Sequence, residues 1–151
     1  MNRTVLDAIN QQINAELTAS YAYLAMSAWC QGRNFLGAAR WLRLQSQEEN
    51  THAMKLFDFV LARGGTVELM AMNKPTFQFG SIIDVFDNAL KQEQEVGRQI
   101  DRLYELAFNE KVFAAMAELQ WFLRAPARAG VHIGMTLFVT ARALARPRGR
   151  A

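Results

Sequence analysis

The sequence predicts an all-α fold, a four-helix bundle in which one long connection runs the length of the bundle. Three observations lead there. Apolar residues recur at three- and four-residue steps through most of the 151 residues, without the period-two alternation of half-buried strands. Only three prolines, Pro75, Pro126 and Pro147, punctuate the pattern. Finally, Glu49 and His52 share a helical face with Leu42, Ala53, Leu56 and Val60. Burying a carboxylate and an imidazole there unpartnered would cost on the order of several kcal/mol. A metal ion between facing helices removes that cost, and a Glu-x-x-His pair is how carboxylate-bridged bundles supply ligands for it.

The elements follow in order. Thr4-Val5-Leu6-Asp7 reads as a capping box that opens the first helix. Its inward stripe is Leu6, Ile9, Ile13, Glu16, Ser20, Tyr23, Ser27 and Cys30. Gln31-Gly32-Arg33-Asn34 forms a tight turn, with Asn34 as N-cap of a second helix over about residues 35–63 that stops at Gly64-Gly65. Residues 64–80 lack helical period and contain Pro75, a connection long enough to need a reason. A helix of about 28 residues is about 42 Å long, and about 16 extended residues reach roughly 53–58 Å. The segment can therefore span the bundle and leave the second and third helices parallel.

Ser81-Ile82-Ile83-Asp84 opens the third helix as a capping box, followed by an inward stripe of Phe86, Ala89, Glu93, Val96, Ile100, Leu103 and Ala107. The fourth helix begins near Asn109 and presents Phe113, Met116, Gln120 and Leu123. Pro126 interrupts it, because proline removes a backbone hydrogen bond and clashes with the preceding turn. A short C-terminal helix is expected over residues 131–145.

Length favours one domain, 1–151. No apolar run approaches the roughly 18–20 residues of a membrane span, and the start has no hydrophobic secretory segment. Cys30 is the single cysteine, which agrees with a reducing, cytoplasmic setting. The net charge of +3 is unevenly spread. Residues 1–123 carry all 14 acids and 11 of the 17 Lys/Arg, hence −3, whereas residues 124–151 carry six Arg and no acid.

Glu16, Glu49 and Glu93 lie near the midpoints of three helices, and midpoints share one height in a bundle whichever way each helix runs. Three inward carboxylates and His52 therefore meet in one layer, with no Lys or Arg on these stripes nearby. Clustered carboxylates repel and raise one another's pKa unless a cation intervenes. Oxygen ligands with one imidazole and no thiolate suit iron or manganese first, zinc less. Glu48 and Gln94 point about 100° away from the layer. Tyr23, two turns beyond Glu16, can bring its hydroxyl to it.

These residues resemble a bacterial non-haem ferritin. The likeness rests on Asn14-Ala15-Glu16-Leu17, Tyr23, Met26-Ser27-Ala28-Trp29-Cys30, Phe35 to Ala39, Gln47-Glu48-Glu49 with Thr51-His52, Leu56-Phe57-Asp58, Glu93-Gln94 and Leu119-Gln120-Trp121-Phe122, over about residues 3–123. It implies a ferritin-like bundle in a hollow 24-subunit homo-oligomeric shell that oxidises Fe(II) with O₂ at a di-iron centre and stores ferric mineral. By position, Glu16, Glu49 and His52 make the first iron site, and Glu49 as bridge with Glu93 serves the second. Glu48 belongs to an accessory third site, and Tyr23 is the redox tyrosine. Asn50 stands where haem-binding bacterioferritins place methionine, so no haem is expected.

After Phe122 the family continues with Glu and Gln on the fourth helix, whereas here the chain reads Leu123-Arg124-Ala125-Pro126-Ala127-Arg128-Ala129-Gly130. The second site then lacks its last carboxylate, and His132 is the one candidate replacement. Either the chain diverged or its reading frame changed near Arg124. Loss of every acid in favour of Ala, Arg, Gly and Pro is what an out-of-frame GC-rich gene would give. An attenuated ferroxidase is the expectation. The alternative is a non-catalytic structural subunit that relies on intact partners. The Arg-rich tail as a nucleic-acid contact is disfavoured, because it carries no recognised motif.

Overall fold

The computed structural model describes residues 2–124, and these form four helices: α1 (Arg3–Gln31), α2 (Leu36–Ala62), α3 (Ile82–Asn109) and α4 (Phe113–Arg124). Two apolar clusters fix how they run. One gathers Val5, Ile9 and Ile13 of α1, Leu56, Phe59 and Val60 of α2, Ile100, Leu103 and Ala107 of α3, and Ala115, Leu119 and Phe122 of α4. The other gathers Tyr23, Met26, Trp29 and Cys30 of α1, Ala39 and Leu42 of α2, and Val85 and Ala89 of α3. Helices α2 and α3 thus both travel from the second cluster to the first, and α1 travels the other way. The parallel α2 and α3 expected from chain length are present. Between α2 and α3, residues 64–81 carry no helix or strand. The segment leaves the first cluster at Val67 and reaches the second at Phe79. Buried Asn10 holds its beginning, donating to the Thr66 carbonyl at 3.0 Å and accepting from the Glu68 amide at 3.0 Å.

Several ends differ from the sequence expectation. Helix α1 is capped by Asn2, whose side chain accepts from the Thr4 and Val5 amides, so Thr4 is already inside the helix. Asn34 does not cap α2. It sits at φ 63°, and the Phe35 amide reaches back to the Cys30 carbonyl at 2.9 Å, a Schellman ending of α1. Gly64 (φ 67°) ends α2 and Lys111 (φ 57°) ends α3 by the same device, with Gly65 bonded to Val60 and Val112 to Ala107. Lys111 therefore closes α3, and α4 starts at Phe113 rather than near Asn109. Ser81 does cap α3, accepting from the Asp84 amide at 3.2 Å.

The face of α4 also differs. It buries Ala115, Leu119 and Phe122, whereas Phe113 is 72% exposed and Gln120 faces outward. The interruption at Pro126, the C-terminal helix over 131–145, His132 and the Arg-rich tail lie outside the described residues.

Candidate metal centre

Between the two apolar clusters lies a polar layer, built by the three long helices at mid-height. Helix α1 contributes Gln12, Glu16 and Ser20, and α2 contributes Gln45, Ser46, Glu49 and His52, all buried. The serines bind α1 to α2 across this layer. Ser20 Oγ donates to the Ser46 carbonyl at 2.7 Å, and Ser46 Oγ donates to the Ser20 carbonyl at 2.8 Å. Gln92 of α3 donates to the Ala19 carbonyl at 3.1 Å, which fixes the height of α3 against α1.

Glu16, Glu49 and His52 converge within this frame, 0%, 3% and 8% exposed. One ligand atom from each lies within 4.8 Å of the others, a spacing that could hold a metal ion. The His52 Nδ1 is 3.2 Å from Glu49 Oε2 and 3.9 Å from Glu16 Oε2. Glu16 Oε1 accepts from Gln12 Nε2 at 2.8 Å, while its Oε2 is buried without a hydrogen-bond partner. A buried carboxylate oxygen with no donor is costly unless a cation completes it.

The electrostatics have the same character. Burial, reinforced by the adjacent Glu16 carboxylate and only opposed by His52, raises the Glu49 carboxyl well above the usual range. Burial also disfavours the His52 imidazolium, but the Glu16 and Glu49 carboxylates outweigh it and push His52 up to about 10. Without a metal, the centre thus gathers protons to balance its charge.

Glu93 of α3 is raised by burial and held by the Tyr23 hydroxyl, which donates to its Oε1. Burial, then the Glu93 charge, raises the Tyr23 phenol as well, so it stays protonated at ordinary pH. Glu93 stands beside the cluster as its neighbour from α3. Glu48 is exposed on α2 and is not brought into the group. From α4 come rings instead of acids: Trp121 and Phe122 meet His52 edge-on, with centroids at 5.6 and 5.7 Å. Lys55 secures that side, paired with Glu118 at 2.8 Å and lying 4.9 Å from the Trp121 ring centre.

Sequence reasoning passed over Gln12. A polar residue one turn before Glu16 on the same inward face was the available signal. Cys30 has no part in the centre. It is buried, and desolvation lifts its thiol to about 11.

The ferritin-like domain family matches residues 6–126. Over 123 residues the chain is 37% identical to the bacterial non-heme ferritin of Staphylococcus aureus, covering 82% of this chain and 74% of that protein. The protein of the same name from Staphylococcus saprophyticus matches with the same identity and coverage. Among solved structures, the open pore ferritin of the hyperthermophilic archaeon Archaeoglobus fulgidus superposes with a TM-score of 0.92 at 34% identity, covering 97% of this chain and 90% of that one. A humanized archaeal ferritin gives 0.92 at 34% identity, over 96% and 88%.

Proposed function

The chain belongs to the ferritin family, and from that premise we propose that it takes up Fe(II), oxidises it with O₂ and stores the ferric product in a 24-subunit shell. The observation that carries this is the buried group of Glu16, Glu49 and His52, with Glu16 Oε2 left without a donor. Iron is the substrate and cargo here. Glu16, Glu49 and His52 bind the first Fe(II), and Glu49 bridges to a second held by Glu93. Each Fe(II) gives up one electron, so two reduce O₂ by two electrons, and protons displaced from Glu49 and His52 are available at the centre. Tyr23 keeps Glu93 oriented by its hydrogen bond and stands next to the second position as the redox tyrosine. Exposed Glu48 is the acid left for an accessory third site. We place the protein in the cytoplasm, and no helix among the described residues is long and apolar enough to cross a membrane.

Turnover is attenuated in this proposal. After Glu118 the chain has no Asp or Glu, and α4 meets His52 with aromatic rings. The same observation supports a second reading, a structural subunit without oxidation of its own.

Anaerobic Fe(II) titration of the purified chain, followed by O₂ uptake, separates them. Two tightly bound irons with fast uptake mean a complete centre. One iron with slow uptake is the outcome expected from the missing acid, and none with no uptake leaves the structural role. Glu49→Ala abolishes fast oxidation, since both positions lose the bridge. His52→Ala weakens the first position and spares the second.

A further inference from the structure

We propose that Gln12 is the positioning residue of the centre: it holds Glu16 by one oxygen so that the other faces the metal. The inference rests on the metal reading above. Gln12 is buried on α1 one turn before Glu16. Its amide can meet a carboxylate only with the Nε2 donor, and it does so at 2.8 Å to Oε1. That bond leaves Oε2 as the free oxygen on the side of His52. Gln12 is also neutral. A Lys or Arg at this place would orient Glu16 equally well, but its charge would oppose the cation.

The far side of Gln12 shows what it holds back. Gln12 lines a cleft of about 260 Å³ between α1 and α3, with Gln11, Gln99, Arg102, Leu103 and Leu106. The cleft is polar enough to hold water, whose share of liquid volume is about 30 Å³ per molecule. Gln99 Oε1 is buried there without a partner, an acceptor that suits a water donor. Without the Gln12 amide, Glu16 Oε1 would lose its donor, and the carboxylate would be free to turn from His52 toward the side of this cleft. Outer partners that fix a ligand's orientation typically contribute about 10–100-fold in metal affinity.

The test uses Co(II), which binds without being oxidised and reports its ligand geometry in its visible spectrum. Gln12→Met keeps the length of the side chain and removes the donor; Gln12→Leu removes the donor with a shorter, branched chain. In the folded variant, Gln12→Met is expected to weaken Co(II) binding about 10–100-fold and to alter the Co(II) bands. In a Glu16→Gln background the same change is expected to add almost nothing, because the two residues act as one unit. Should Gln12→Met unfold the chain, Gln12→Leu carries the same comparison. Unchanged Co(II) affinity and spectrum in a folded variant would overturn the proposal, as would an undiminished loss in the Glu16→Gln background. If the wild-type chain binds Co(II) with the Gln12 effect yet consumes no O₂ with Fe(II), only the oxidase reading fails. If it binds no Co(II), both fall.

Discussion

At the scale of residues, Glu49 and His52 carry protons in the same buried group that could hold a metal ion. Both Glu49 and His52 have folded pKa values above their unfolded ones, His52 up to about 10. The metal-free fold therefore binds more protons than the unfolded chain as pH rises from about 5 to about 10. Stability must fall with rising pH across that window, by at most about 1.4 kcal/mol per pH unit for each proton. Melting curves in chelator are expected to show the decline between pH 6 and 9. Saturating Co(II) or Zn(II) is expected to remove it, since metal replaces the protons and its affinity climbs with pH. A flat metal-free profile would contradict the shared-proton picture. The layer itself was legible in the sequence, because Glu16, Glu49 and Glu93 sit at helix midpoints and midpoints coincide in a bundle. The serine pair and the Gln12 contact were not, because neutral polar residues on an inward face give no sign of which partner they meet.

At the scale of elements, three helix ends share one backbone device and only one spends a glycine on it. Gly64 takes the left-handed conformation at no steric cost, whereas Asn34 and Lys111 hold it against their Cβ atoms. Lys111→Gly is expected to stabilise the fold by about 1 kcal/mol, and Gly64→Ala to destabilise it by about the same. A methyl group at Gly64 would meet nothing within 4 Å, so chemical denaturation there reads the backbone alone. This is also why the sequence revealed the end of α2 and hid the other two. A left-handed lysine leaves no mark in composition, and Asn34 suits either side of a turn. The face of α4 was misjudged for a different reason. Its twelve residues are apolar nearly all round, so periodicity has no clear phase, and small Ala115 lies buried in the same cluster as Ala107. The crossover was the easier inference, since its length left few other paths. Its anchor was not visible. Asn10→Ala is expected to cost about 1–3 kcal/mol and to speed proteolysis within residues 64–81.

At the scale of the whole molecule, the crossover carries apolar side chains that the other described residues do not cover. Leu69, Met70, Met72 and Phe77 are all exposed on it. In a shell, neighbouring subunits would cover such residues. Leu69→Glu is therefore expected to release smaller species in sedimentation while Co(II) binding per chain is unchanged. A single subunit in solution for the wild-type chain would remove the basis for that result. Among the described residues, the polar layer also divides the bundle into two apolar cores, four helices contributing to one and three to the other. Helices α1, α2 and α3 run through both, and between the two cores lies a band of hydrogen bonds and charge. Amide exchange should therefore see two zones of slow opening separated by a seam. Iron would lock that seam, making the loaded subunit unfold as one cooperative body where the empty one loosens in two stages.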